Sequence, residues 1–226
     1  MAPEKAMASF AGAVWAPHTW PDALEAVAAA CDAKMVTVVN CTRRGELNCS
    51  RSARDVIDLY LHGREIPDSR IGRVNPTLAE GFRTDYDDFT PNEIAHDAYS
   101  QALLAPLDVR RHATAELPGP DERLVISFKR SARQGPFERD DIGTLNRVLP
   151  HLRAAARQAA ILTRSHFEGE LEAFSRLHRG ALWLDENGRI IAMNDRVVFG
   201  DGLVCEGGRL SATSSTDRHA LALAIG

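Results

Sequence analysis

The sequence predicts an α+β protein: an antiparallel sheet flanked by helices, a long helix that leaves it, and a partial second α+β module. Three observations predict this class. Ala33–Cys41 is dense in β-branched residues, as strands are. From Asp140 to Leu177, apolar residues recur at spacings of three and four, the period of a helix. Beyond Gly180, two short apolar runs flank an Asn-Gly pair, which is a strong hairpin signal.

Composition excludes several functional classes. The 226 residues are 44% hydrophobic and 26% charged, which is typical of a globular protein of one large or two small domains. The net charge of −4 gives no overall basic field that would attract nucleic acid. No apolar run approaches the length of a membrane helix, so no membrane partner is expected. The four cysteines lack C-x-x-C spacing, which predicts reduced thiols and a cytoplasmic location.

The first third of the chain reads as helix, strand pair and helix. Residues 1–19 are expected to form an N-terminal extension. Trp20 precedes a proline and an aspartate, which suit the first turn of a helix. The strand Ala33–Cys41 then pairs with Glu46–Ser50 across a turn, and Ser52–Gly63 is a helix with serine at its N-cap and glycine at its end.

A long polar stretch, Glu65–Thr90, follows and carries isolated aromatic residues. Loops of this length in a compact domain are often binding loops or lids. Thr90 and Glu93 flank a proline in the pattern of a capping box, which predicts a helix to about Leu104. Two strands come next, Val109–Leu117 and Arg123–Arg130. Along the second, Val125, Ser127 and Lys129 point one way, and Leu124, Ile126 and Phe128 point the other.

The long helix, residues 140–178, is predicted to be a connector and a subunit seam. Pro150 should kink or restart it. The alternative is two ordinary core helices joined near Ser165–His166. A homodimer is expected, and Leu152→Glu is expected to make it monomeric. The seam would be formed by the apolar residues of one stripe: Leu145, Leu149, Leu152, Ala156 and Ala159.

The last part of the chain, residues 179–226, is predicted to be an incomplete module. Ala181–Asp185 and Arg189–Met193 form its hairpin, Leu203–Cys205 is a further strand, and a helix starts at Asp217. About 46 residues are few for an independent core. The module is therefore expected to need the long helix or a second chain.

No specific enzyme signature is present. The sequence lacks G-x-S-x-G, the P-loop, G-x-G-x-x-G after a strand, and H-E-x-x-H. The eight histidines form no metal-ligand cluster, so neither a metal nor a cofactor is expected.

A small-molecule pocket is the remaining chemical hypothesis, because such pockets are mostly apolar with a few polar groups. An equal alternative is that these side chains are core and loop anchors. Ser127 or Phe128 would contribute from the sheet, but not both, because they point to opposite faces. The other candidates are the aromatic and imidazole residues between the second helix and the second strand pair: Tyr60, Phe82, Tyr86, Phe89, His96 and Tyr99.

The element order resembles a GAF-like sensor domain over residues 20–139. Three segments are similar to one subgroup of LuxR-type bacterial transcriptional regulators: ISFKRSARQGPFERDDIGTLNRVLPHLRAAARQ, the stretch ending ALLAPLDVR, and ALWLDENGRIIAMND followed by GDGLVCEGGRLSA. In the last, Gly188, Arg189 and Asn194 match the opening hairpin of a PAS-like module. The resemblance implies a sensor that precedes a helix-turn-helix. No such motif matches here, so these residues are not expected to bind DNA directly.

Three functions follow from these observations. The first is a non-catalytic sensory module that binds a small ligand and signals through the long helix to a DNA-binding domain outside these residues. The second is a structural interaction domain with a filled core. The third, implied by the GAF resemblance, is a thiol-dependent methionine sulfoxide reductase, for which Cys41 and Cys49 form the only close pair and would need an exposed thiolate.

Overall fold

The chain divides into two compact units, Met1–Ala160 and Ile161–Gly226. A computed structural model describes residues 3–40, 47–62, 69, 81–118, 123–184, 188–200, 202–214, 217 and 221. The described elements confirm an α+β chain with an antiparallel sheet flanked by helices. The GAF-like and PAS-like assignments, and the domain limits proposed from them, remain predictions.

The sheet of the first unit has five antiparallel strands in the order β2-β1-β5-β4-β3. Strand β5 is therefore central, with β1 on one side and β4 on the other. The β-branched run predicted as a strand is β1, and it pairs with β5 over six residues. Most of the turn before β2 and the turn between β4 and β5 lie outside the described residues. The strands are β1 (Met35–Asn40), β2 (Leu47–Cys49), β3 (Arg83–Thr84), β4 (Arg111–Pro118) and β5 (Arg123–Arg130).

In the described part of the first unit, five α-helices precede the long one. Short 3₁₀ turns at Pro17–Thr19, Arg51–Ala53 and Ala105–Leu107 and a π-helical segment at Ser100–Leu104 connect the elements. The long polar stretch predicted before Thr90 is described only from residue 81 onwards and at residue 69. The helices are α1 (Pro3–Trp15), α2 (Trp20–Ala30), α3 (Arg54–His62), α4 (Asp85–Asp88) and α5 (Pro91–His96).

The capping box at the start of α5 is confirmed. The backbone N–H of Glu93 donates to Thr90 Oγ1, and the Glu93 carboxylate accepts from the Thr90 backbone N–H at 2.8 Å. The helix is shorter than predicted because Asp97 adopts an extended conformation. Its carboxylate then accepts from the Ser100 N–H at 2.7 Å and starts the π-helical segment.

The segment predicted as an N-terminal extension contains α1. Phe10 is buried and meets Trp20 of α2 edge to face, with ring centroids 5.3 Å apart. Ala6 and Ala13 are also buried. Small residues on one side of a helix allow close approach, so α1 adds to the core of the first unit.

The sheet has two different faces. On the Phe128 face, Val36, Ile126 and Phe128 are fully buried. This is the side of the long helix, because Phe82 packs against Phe128 and donates its backbone N–H to Asn146 in that helix. The opposite side is called the Ser127 face here and is defined by Met35, Thr37, Ser127 and Lys129.

The long helix, α6, runs unbroken from Arg139 to Arg176 with Pro150 inside it. The predicted division near Ser165 is therefore absent. Among the described residues, no helix combines the length and apolar character needed to cross a membrane.

Three leucines of the predicted subunit seam lie in the core of this chain. Leu145, Leu149 and Leu152 are buried without a second subunit, and Leu152 is only 1% exposed. A side chain that is already covered offers almost no surface to a partner, so we assign these three to the core. Ala156 and Ala159 are half-buried, and a seam through them remains a prediction.

The described residues of the second unit form two hairpins. Strand β6 (Leu182–Leu184) pairs with β7 (Ile190–Met193), with a register shift at Trp183, and β8 (Leu203–Glu206) pairs with β9 (Arg209–Ala212). The ring of Trp183 in this first hairpin lies 4.8 Å from the ring of Phe167 in α6, measured between centroids. The turn residues 185–187 of the hairpin, and most of the predicted last helix, lie outside the described residues.

Candidate functional site

The Ser127 face places polar side chains at the centre of the sheet. Thr37 of β1 lies directly opposite Ser127 of β5, and Met35 lies opposite Lys129. On the other side of β5, Thr114 of β4 also lies opposite Ser127. Residues directly opposite each other in an antiparallel pair share a face, so these side chains are neighbours.

Three of these polar side chains are buried. Thr37, Ser127 and Lys129 are 2%, 7% and 4% exposed. The Lys129 ammonium donates to Thr37 Oγ1 at 2.6 Å, and Thr37 is one of its partners. Ser127 Oγ has no hydrogen-bond partner among the described residues. A buried hydroxyl left in that state costs about 1–3 kcal/mol, so this position needs an explanation.

An apolar cluster includes Met35, which lies on the Ser127 face with this polar group. Tyr99, the π-helical segment and Val56 of α3 also contribute to the cluster. A mostly apolar lining with a few polar groups is typical of small-molecule sites. The apolar cluster that includes Met35 consists of Met35, Ala53, Val56, Tyr99, Leu103, Leu104 and Val109, with half-buried Cys49 and Leu107 packed against it.

The structure separates the predicted pocket residues into groups. Tyr99 lies in the apolar cluster that contains Met35 of the Ser127 face. Phe82 and Phe128 lie on the opposite face, with ring centroids 5.4 Å apart. Alternation along β5 forces this separation, so Ser127 and Phe128 cannot line one pocket. The side chain of Tyr60 lies outside the described residues.

Two other predicted residues lie at the surface. Tyr86 is 44% exposed, and its ring faces the Arg111 guanidinium with 5.0 Å between the carbon Cζ and the centroid. His96 is exposed, and its Nδ1 is 2.8 Å from the carbonyl oxygen of Asn92 in the same helix. Neither side chain belongs to the Ser127 face, and a role for these two residues in a ligand site remains a prediction.

Phe89 lines a separate small cavity near the start of β4. The cavity also contains Asp85, which is buried and lies 3.9 Å from the Arg111 guanidinium. Opposite charges of this kind stabilise each other, so the cavity has the character of a structural ion-pair site. It is lined by Asp85, Phe89, Ile94, Asp97, Ser100, Leu104, Val109, Arg110, Arg111 and His112.

Sequence reasoning missed Thr37 and Lys129 as site residues. The signal was present in the alternation along Arg123–Arg130, which puts Lys129 on the same side as Ser127. A lysine inside a strand with buried neighbours is unusual, because lysine is almost never fully buried unless paired. The pairing with Thr37 required the register of β1 against β5.

The described thiols have properties that bear on the predicted reactive pair of Cys41 and Cys49. Burial raises the pKa of the half-buried Cys49 thiol and raises that of Cys31 to about 11. Both shifts favour the unreactive thiol over the nucleophilic thiolate. Cys41 lies outside the described residues. Within the described part of the chain, no group of three His, Cys, Asp or Glu side chains could hold a metal ion.

Comparisons with known proteins gave matches to solved structures alone. No family model matches this chain, and no curated protein matches it. The ligand-binding domain of VqsR from Pseudomonas aeruginosa is 14% identical, covering 69% of this chain and 94% of that one, with a TM-score of 0.43. CepR2 from Burkholderia cenocepacia, an N-acylhomoserine-lactone-dependent LuxR-family transcription factor, is 16% identical over 72% and 98%, with a TM-score of 0.45. SdiA in complex with octanoyl-rac-glycerol is 14% identical over 72% and 60%, with a TM-score of 0.40.

Proposed function

We propose that this chain is the sensor region of a LuxR-type transcriptional regulator and binds a small ligand on the Ser127 face. The observation that carries the proposal is the buried Ser127 hydroxyl, which has no partner among the described residues. It lies directly across from Thr37, which accepts from Lys129. The resemblance of the sequence to the sensor regions of these regulators supports the same function.

The energetics favour an occupied site. Without a partner, the Ser127 hydroxyl costs the chain about 1–3 kcal/mol. A ligand that offers an acceptor there recovers this energy, and its apolar body would contact the cluster around Tyr99. Ligand binding therefore stabilises the folded state that presents the site.

The end of β5 connects the Ser127 face to the long helix. Lys129 lies on the Ser127 face, and Arg130 lies on the other face and bonds Asp141 in the first turn of α6. A ligand that shifts the end of β5 would also displace the start of this helix, because Arg130 and Asp141 are bonded. The helix would signal to a DNA-binding domain outside these residues, provided that the ligand favours one of two helix arrangements. The module is proposed to be non-catalytic and homodimeric.

Ser127→Ala tests the proposal in a thermal-shift screen against small amphiphilic molecules. Without ligand, removal of the hydroxyl should leave the melting temperature unchanged or raise it, because a buried group without a partner is lost. With a ligand that stabilises the wild type, the variant should show a smaller shift.

Ser131→Ala is the matched control. Ser131 is also buried, but its hydroxyl donates to Gln134 at 3.0 Å, so its loss should destabilise the chain and leave the ligand shift intact. A screen without any stabilising molecule, together with a destabilised Ser127→Ala, would contradict the proposal.

A structural interaction domain is the second candidate. The observation that favours it is the packed apolar cluster, in which Met35, Val56 and Tyr99 are all buried. In that case the cluster fills the Ser127 face, and the screen finds no ligand.

A further inference from the structure

We propose that Asp108 couples the apolar cluster that includes Met35 to the start of the long helix. The residue lies between Leu104 and Val109, two buried members of that cluster. Its carboxylate accepts from the backbone N–H of Ala132, in the loop that leads to α6. The inference rests on the proposed function and deepens it, because it gives a route by which an occupied site would act on α6.

Asp108 ends the helical segment that contributes to the cluster. Its N–H donates to the Ala105 carbonyl oxygen, and the Val109 N–H donates to the Leu104 carbonyl oxygen, each at 3.0 Å. This pair of bonds closes the end of a helix when the residue between them is left-handed, and Asp108 has a φ of +52°. A shift of Leu104 therefore moves the backbone of Asp108 with it.

The aspartate at this position supports a role for its side chain. Glycine is the usual residue at a left-handed helix end, because it has no Cβ to clash. Aspartate tolerates the conformation at some cost in backbone energy. In exchange it supplies an acceptor that glycine lacks, and the Ala132 N–H uses that acceptor at 3.2 Å.

Lys34 holds the same turn against the sheet. Its ammonium donates to the Leu107 carbonyl oxygen at 2.7 Å and lies 3.7 Å from the Asp108 carboxylate. Its backbone N–H donates to the Lys129 carbonyl oxygen at 2.8 Å, near the end of β5. The turn is thus attached to the sheet through Lys34 and to the following loop through Ala132.

The loop after β5 carries the connection into α6. Arg130 ends β5, and its carbonyl oxygen accepts from the Arg110 N–H at 2.9 Å, just beyond the turn. Its guanidinium donates to Asp141 in the first turn of α6. The turn and the start of α6 therefore share a continuous set of bonds through Arg130 and Ala132.

The test removes the side-chain link and keeps the turn. Asp108→Gly suits the left-handed position but has no acceptor for Ala132, whereas Asp108→Asn keeps an acceptor oxygen. The cluster is perturbed by Leu104→Ala, which deletes buried atoms. Hydrogen exchange is followed by NMR at Glu138 and Ile142, whose N–H groups are bonded at the start of α6. The whole 226-residue chain is used without ligand.

The expected result is a coupling that depends on the acceptor. In the otherwise unchanged chain, Leu104→Ala should raise exchange at both amides by about threefold or more. In Asp108→Gly the same substitution should have no effect on them, and in Asp108→Asn the increase should return. Val14→Ala, which deletes buried atoms in α1 outside the cluster, controls for general destabilisation. It should change these amides equally in all three backgrounds.

The outcomes separate the coupling from the proposed ligand site. An increase that is the same in Asp108→Gly, or no increase in any background, would overturn the coupling and leave the ligand site standing. An increase missing in Asp108→Asn would also overturn it, because that variant keeps the acceptor. A ligand screen without any stabilising molecule would overturn the proposed function alone, because no ligand enters this test. If circular dichroism shows that Leu104→Ala is unfolded, Val56→Ala of the same cluster takes its place with the same expectation.

Discussion

Arg130 donates two hydrogen bonds to Asp141, at 2.8 Å and 3.0 Å, and so joins the last residue of β5 to the first turn of α6. The guanidinium also donates to the carbonyl oxygens of Asp32 and Pro136, and it lies over the Phe137 ring. Almost all of the Arg130 side chain is buried. The pair therefore holds the end of β5 in one position against the start of α6.

The pair predicts a specific acid sensitivity. The hydrogen bond from Arg130 holds the pKa of Asp141 below its usual value. A depressed pKa in the folded state adds stability above the unfolded pKa of about 3.9, and this stability is lost as the pH falls through the folded value. Asp141→Asn should therefore melt below the wild type at neutral pH, and the gap should narrow below about pH 4.

Thermal melts between neutral and acidic pH measure this effect. Asp140→Asn, on the exposed neighbouring residue, is the control and should lower the melting temperature at neutral pH less than Asp141→Asn does. If the difference in melting temperature between Asp141→Asn and the wild type stays constant as the pH falls, the pair does not titrate as described.

A second hydrogen bond connects α6 to the segment before β3. Asn146 Oδ1 accepts the Phe82 backbone N–H at 2.9 Å. A Cβ added at Gly81 would lie 2.9 Å from the same oxygen, so Gly81→Ala must displace it. Both Asn146→Ala and Gly81→Ala should lower the free energy of unfolding, by about 0.5–1.5 kcal/mol for the lost bond. In urea denaturation, the double variant should lose less than the sum, because both changes remove one contact.

Substitutions of Leu152 distinguish a core position from a position in a subunit interface. It is buried within one chain, so Leu152→Ala should cost about 2–5 kcal/mol of unfolding free energy. Leu152→Glu should unfold the first unit, and not simply separate two folded subunits. Circular dichroism with light scattering distinguishes the two results: a folded monomer of Leu152→Glu would restore the original seam.

The predicted homodimer is tested at the half-buried residues of the predicted seam, Ala156 and Ala159. Ala159→Glu should halve the mass measured by light scattering at micromolar concentration while the chain stays folded, if the seam runs through Ala156 and Ala159. Gln158→Glu, on the adjacent exposed position, is the control for the added charge. An unchanged mass for Ala159→Glu would place any subunit contact elsewhere.

Asn194 organises the second unit through four hydrogen bonds. Its Oδ1 accepts from the N–H groups of Ala181 and Arg196, and its Nδ2 donates to the carbonyl oxygens of Leu171 and Arg179. Asn194→Asp removes the donor and places a charge against two carbonyl oxygens, so it should destabilise this unit by about 1–3 kcal/mol. Hydrogen exchange should rise in β6 and β7, and not in the sheet of the first unit.

The neighbouring Gly180 gives an independent check on the second unit. A Cβ there would lie 2.7 Å from the backbone oxygen of Arg196, which cannot move aside easily. Gly180→Ala should therefore increase exchange in the same hairpin. Gly169→Ala is the matched control, because a Cβ at that position meets nothing within 4 Å and alanine favours the helix.

The thiol pKa values predict resistance to labelling. The half-buried Cys49 and the buried Cys31 should react slowly with a disulfide reagent at neutral pH, since their thiols stay protonated. Exposed Cys205 should react first. A Cys205→Ser, Cys41→Ser variant leaves Cys31 and Cys49 as its two thiols. Fast labelling of Cys49 in that variant would revive the reductase hypothesis.

The sequence by itself determined the local structure of this protein. The β-branched run predicts β1, Thr90 and Glu93 predict the start of α5, and the period of three and four predicts α6. Alternation along β5 separates Ser127 from Phe128 without any tertiary information. These predictions succeed because they depend on residues within a few positions of each other.

Only the tertiary structure decided which of these surfaces meet. The same leucine stripe suits a subunit seam or a core, and packing within one chain buries Leu145, Leu149 and Leu152. Spacing along the chain could not separate Phe82 from Tyr99, which lie on opposite sides of the sheet. Lys129 finds Thr37 at 92 positions along the chain because β1 and β5 pair in one register. Register and burial are properties of the whole fold, since they depend on contacts that local periodicity does not encode.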